Sequence, residues 1–147
     1  MARRKPIQDG YVRTLVIGVT ISFSPLWYAL VCYFLSIFTD FSHGFSGPIG
    51  IPYFKEIITI LGFIGIAVGY HLRKIQNHKL EEIFDYTKRT ANLTVYMIIQ
   101  MTITHLLAIL ALVYCLLCGD LIYTLILFAI DFIAMLGLIP SKKLFEM

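Results

Sequence analysis

Four long stretches of this sequence contain almost no charge, and nothing else in it limits the fold as strongly. They run from about Val12 to Ile37, Pro52 to Leu72, Ala91 to Leu117 and Leu121 to Ile139. A helix needs ~20 apolar residues to cross the hydrocarbon core of a bilayer. Each stretch is of that order, and each is apolar around its whole circumference. An amphipathic surface helix would keep one polar face. A helix with lipid on one side and packed neighbours on the other would not. The chain has 147 residues, 59% hydrophobic and 14% charged, with a mean hydropathy of +0.81. A soluble domain of that length could not hide so much apolar surface. We therefore expect an all-α membrane protein: a four-transmembrane-helix bundle of two hairpins, one domain over residues 1–147, surrounded by the lipid bilayer.

The connections fit this plan. Residues 39–52 are rich in Gly and Pro and form a turn-forming loop. Phe41, Phe45 and Tyr53 would sit at the membrane interface, where aromatic rings prefer to lie. Cys118-Gly119-Asp120 leaves room only for a tight turn. The one sizeable polar segment is Arg73 to Arg89, in which Leu80, Ile83, Phe84 and Thr87 recur at helical spacing. That spacing predicts a short helix lying on the membrane surface.

Orientation follows from the basic residues. Arg3, Arg4, Lys5 and Arg13 precede the first span. Arg73, Lys74, Lys79, Lys88 and Arg89 lie between the second and third, and Lys142 and Lys143 follow the fourth. Near the opposite side only Lys55 appears, beside Glu56. The positive-inside rule places both termini and the middle loop in the cytoplasm, in the plasma (inner) membrane if the source is bacterial. No small-residue cleavage site follows the basic start, so the first span reads as a retained helix. The basic residues are membrane flanks without aromatic interleaving, which argues against a nucleic-acid partner. The sequon Asn92-Leu93-Thr94 falls on the cytoplasmic side and carries no meaning there.

The two halves look related. Residues 94–117 lie over residues 12–35 without a gap, matching Ile17 to Ile99, Thr20 to Thr102, Ile21 to Ile103 and Ala29-Leu30-Val31 to Ala111-Leu112-Val113. Both halves would start on the same side, so the internal repeat would be parallel, not inverted. The stretch ALVYCLLCGDLIYTLILFAIDFIAMLGLIPSKKLFEM resembles the end of a group of uncharacterised bacterial membrane proteins built from two helical hairpins. That group has a Gly-Asp or Gly-Asn turn and an exit like Pro-Ser-Lys-Lys. It is in turn similar to the two-hairpin proteolipid rotor subunits of rotary ATPases. The resemblance implies a four-helix membrane fold and supplies no activity. Rotor subunits have Gly- and Ala-rich inner helices and a carboxylate at lipid depth. Here Phe23, Trp27, Tyr28 and Tyr33 crowd the first span, and His105 stands where similar sequences often place Glu.

Ionisable residues at mid-span are the natural functional candidates. His105 is central in the third stretch and Asp131 in the fourth. Counted from the shared turn, they lie twelve residues before Leu117 and eleven after Asp120. At about 1.5 Å per residue they share a depth. Such a pair could hold or pass a proton, or lock two helices by a hydrogen bond. Thr102 shares a helical face with His105, while Gln100 and Thr104 share another. Pro25 frees the carbonyl of Ile21 and favours a kink. Gly62, Gly65 and Gly69 would let the second span approach a neighbour closely. Pro25, Gly62, Gly65 and Thr102 therefore read as packing residues, or as the rim of a small cavity around His105 and Asp131.

Cys115-Leu-Leu-Cys118 is a C-x-x-C near the outer face. Quinone-linked thiol oxidases are four-helix proteins with such a motif on that side, but this one closes the third span and lacks a second outer pair. A helix C-terminus also disfavours a thiolate. His71 and His78 belong to the cytoplasmic side, so paired-histidine haem ligation is not available. No phosphate loop, metal cluster or nucleophile triad is visible in the sequence, and no cofactor is expected. The leading expectation is a non-enzymatic accessory or structural subunit, packed against other membrane subunits or itself. The second is a small proton-linked transporter or channel using His105 and Asp131. The third is a membrane thiol oxidoreductase through Cys115 and Cys118.

Overall fold

A computed structural model describes residues 4–39, 44–45 and 53–141. Arg3, Phe41, Pro52, Lys142 and Lys143 lie outside them. Among the described residues every regular element is helical: α1 (Arg4–Ser22), α2 (Ser24–Phe38), α3 (Phe54–Glu81), α4 (Tyr86–Thr104), α5 (Leu106–Cys118) and α6 (Leu121–Leu138). Two pairs run on almost without interruption, giving four helices long and apolar enough to cross a membrane: Asp9–Phe38, Phe54–Leu80, Tyr86–Cys118 and Leu121–Leu138. This is the architecture of a multi-pass membrane protein.

The expected surface helix over Leu80 to Thr87 is not formed. Instead α3 runs on through Arg73, Lys74 and Gln76 to Glu81, and α4 begins at Tyr86. Nothing between Leu72 and Glu81 breaks a helix, since Arg, Lys and Gln are good helix formers. The extension also has partners. Tyr70 donates its hydroxyl to the Ala134 carbonyl at 2.9 Å, and the Arg73 guanidinium donates to the Gly137 carbonyl. The Gly137 carbonyl belongs to the open last turn of α6, where a basic group is favoured. At the other end of α6, Lys55 pairs with Asp120 at 3.2 Å and lies 3.9 Å from the Tyr123 ring centroid. Thr59 also hydrogen-bonds Tyr123. Helix α3 thus grips α6 at both ends.

The turns are chemically specified. Gly119 ends α5 at φ 73°, a left-handed conformation natural for glycine, and its N–H bonds the Cys115 carbonyl. Asp120 then caps α6 by accepting from the Tyr123 N–H at 3.2 Å. Asp85 caps α4, accepting from the N–H of Thr87 at 2.9 Å and of Lys88 at 3.5 Å. Asp85→Ala is expected to lower stability by about 1 kcal/mol, measured by thermal unfolding in detergent, because the first turn of α4 loses its acceptor.

In cross-section the third and fourth spans form the centre, with the first and second on opposite flanks. The third span touches all the others, whereas the first and second make hardly any direct contact. Burial follows the same order: over the most apolar 18 residues of each span, 39% and 33% are buried in the third and fourth against 22% in each of the first two. The N-terminal hairpin expected from chain order is therefore not a packed pair. The first and third spans run parallel, tied by Thr14 to Thr94 at 2.8 Å. Phe45 and Tyr53, at 73% and 74% exposure, lie at the end opposite that tie.

Candidate functional site

The first span is broken at Phe23 for a covalent reason. Pro25 has no N–H, so the Ile21 carbonyl loses its helical partner. Ser24 replaces it, donating its hydroxyl to that carbonyl at 2.6 Å. The break turns Ser24 and, one turn on, Tyr28 toward the third span. That span is itself interrupted at His105, where ψ relaxes to −7°. Phe23 and His105 are the residues paired by the gapless overlay of the two halves.

His105 stands at the meeting point of three spans. Its Nδ1 lies 3.0 Å from Asp131 Oδ2. Its Nε2 lies 3.2 Å from Ser24 Oγ and 3.3 Å from the Tyr28 hydroxyl. The Tyr28 and His105 ring centroids lie 5.3 Å apart, and the Phe128 ring lies 6.2 Å from that of Tyr28. Asp131 is fully buried and His105 is 9% exposed. Asp131 Oδ1 is buried and has no hydrogen-bond partner.

The donor count limits the protonation states. Ser24 spends its proton on Ile21, so its oxygen can only accept from His105. If Nε2 carries the proton for Ser24, then Nδ1 meets Asp131 as an imidazolium facing a carboxylate, or as a neutral ring accepting from a protonated carboxyl. If Tyr28 donates to Nε2, the Nδ1–H donates to a carboxylate. One dissociable proton can therefore move between Asp131 and His105 without a change in net charge. The order Ser24, His105, Asp131 is also that of a hydrolytic triad. A nucleophilic serine must donate to the imidazole, however, and this one donates to a backbone carbonyl.

The remaining expected residues are scattered. Pro25 is buried beside the cluster and shapes it through the break. Thr102 is exposed and donates to the Ile98 carbonyl at 2.8 Å, so it does not join His105. Gly62 and Gly65 lie on the other flank of the third span, against Leu107 and the Ile103 carbonyl. Gln100 points the same way and donates to Gln76 at 2.5 Å. Cys115 packs in the core with Cys32. Ser24, Tyr28 and Gln76 went unrecognised as site residues in the sequence. Ser24 carried a signal, since it adjoins the proline and lies four residues from Tyr28.

No family model, curated protein or solved structure matches this chain. Function is therefore argued from the cluster itself. Among the described residues, no three His, Cys, Asp or Glu side chains gather as a metal site would need.

Proposed function

We propose that this chain is a small integral membrane protein acting without catalysis, as an accessory or structural subunit packed among other membrane proteins or copies of itself. The observation that carries this reading is the saturation of His105. Both ring nitrogens have partners on two other spans. The cluster thereby works as a tie between the first, third and fourth spans. Outward-facing Trp27, Phe34, Phe38, Ile60 and Ile64 suit lipid or a neighbouring apolar helix. In this reading both termini face the cytoplasm, and the chain arose by duplication of one hairpin. The coincident breaks at Phe23 and His105 support the duplication. The test is purification from native membranes in a mild detergent. A defined larger complex of constant stoichiometry is expected, and a lone monomer would contradict the accessory role.

A second reading has its own support. The buried Asp131 Oδ1 has no hydrogen-bond partner, so the carboxylate is only half satisfied and its charge is open to neutralisation by a proton. In that case the protein is a small proton-linked transporter or channel, and His105 and Asp131 are its carriers. Asp131→Asn is then expected to abolish pH-driven flux in proteoliposomes while leaving extraction and elution unchanged. Wild-type liposomes showing no proton flux would remove this reading. A thiol oxidoreductase role through Cys115 and Cys118 has less behind it, since Cys115 faces Cys32.

A further inference from the structure

A cleft of about 570 Å³ opens between α1 and α4, at the end of the bundle away from Lys55. Its composition changes along its length. Arg13, Thr87 and Thr90 line one end, and Ile17, Val95 and Ile98 the other. The order follows helical register: along α1 Arg13 gives way to Ile17, and along α4 Thr87 and Thr90 give way, past Thr94, to Val95 and Ile98. The hydrogen bond between Thr14 and Thr94 holds the two helices together beside the cleft.

We propose that this cleft binds one anionic phospholipid, its phosphate on Arg13 and an acyl chain along Ile17, Val95 and Ile98. Among the described residues Arg13 is the only charged one that lines the cleft, and it is exposed. A guanidinium presents a planar fork that matches phosphate oxygens. The nearby carboxylates do not compete from the lining. Asp85 is engaged as the cap of α4, and Asp9 lies outside the cleft. Lys88, in the first turn of α4, adds positive charge nearby. A soluble anion would be served by Arg13 but not by the aliphatic end, so the graded lining selects a molecule with both a charged head and an apolar tail.

The proposal rests on the chain being embedded in a membrane. The test is native mass spectrometry of the full chain in detergent, offered phosphatidylglycerol and phosphatidylcholine with identical acyl chains. The wild type is expected to retain one phosphatidylglycerol about fivefold more readily than phosphatidylcholine, the selectivity one basic residue at a membrane surface provides. Arg13→Gln should bring the ratio close to one, and Arg13→Glu should invert it. Val95→Trp, which fills the apolar end, should lower retention of both lipids and keep the ratio. Matching elution volumes show that the variants remain folded. An unchanged ratio in Arg13→Gln overturns the proposal, as does displacement of the lipid by inorganic phosphate alone. If the membrane reading itself fails, the wild type is monodisperse without detergent and retains neither lipid.

Discussion

Replacing His105 by alanine is expected to lower the unfolding free energy of the detergent-solubilised protein by about 3 kcal/mol, and replacing its partner as well should restore most of the loss. The asymmetry follows from burial. Asp131 is 0% exposed, its Oδ1 has no partner, and its Oδ2 has His105. Removing the imidazole leaves a carboxyl with nothing to bond, deep among apolar side chains. The favourable part of such a tie is smaller, because interhelical hydrogen bonds in membranes contribute about 0.6–2 kcal/mol. His105→Leu combined with Asp131→Leu should therefore lie within about 1 kcal/mol of wild type. Unfolding curves of His105→Leu, of Asp131→Leu and of the double give the coupling directly. Losses that simply add would show that the two side chains do not act as a pair.

Gly65→Leu is expected to be the most damaging single change on the second span, costing about 3 kcal/mol or preventing that span from docking. A Cβ built on Gly65 would lie 2.9 Å from the Ile103 carbonyl and 3.3 Å from Leu106 Cβ. The first of these is backbone and cannot rotate away. Gly62 presses on Leu107, and Gly69 sits 3.1 Å from the Gln100 carbonyl on the same terms. Three glycines on one face therefore set how closely the second span approaches the third. Ile64, the adjacent residue, is 52% exposed, so Ile64→Ala should change stability by less than about 0.5 kcal/mol. Comparing melting temperatures of the two variants separates close packing from a general loss of apolar volume.

The sequence revealed depth far better than rotation. Apolar length is a local property, so the four spans were legible, with most ends shifted by a few residues and the second span running eight residues further. The match in depth between His105 and Asp131 was legible too, because both are counted from the same tight turn at Gly119. Which way each side chain points was not. A span apolar all round has no polar face to mark its inner side. Thr102 is three residues from His105, an angular offset of about 60°, and that is enough to put it outside the core. Ser24 and Tyr28 became partners of His105 only through the break made by Pro25. Chain order suggested that the first and second spans would pack together, but the third lies between them. Cys115 found Cys32 across two spans, a contact that no spacing within one helix encodes. The continuation of α3 past Leu72 was hidden because Arg73, Lys74 and Gln76 suit both a loop and a helix.

The most direct test is thiol accessibility in sealed vesicles of one orientation, using a membrane-impermeant reagent on a background with Cys32, Cys115 and Cys118 replaced. Asp9, Glu56 and Glu82 are exposed near span ends, and Trp27 is 67% exposed in the middle of the first span. Asp9→Cys and Glu82→Cys should react from one side and Glu56→Cys from the other, while Trp27→Cys stays unlabelled. Labelling of Trp27→Cys as fast as Asp9→Cys, or of Asp9→Cys and Glu56→Cys from the same side, would contradict the four-span account.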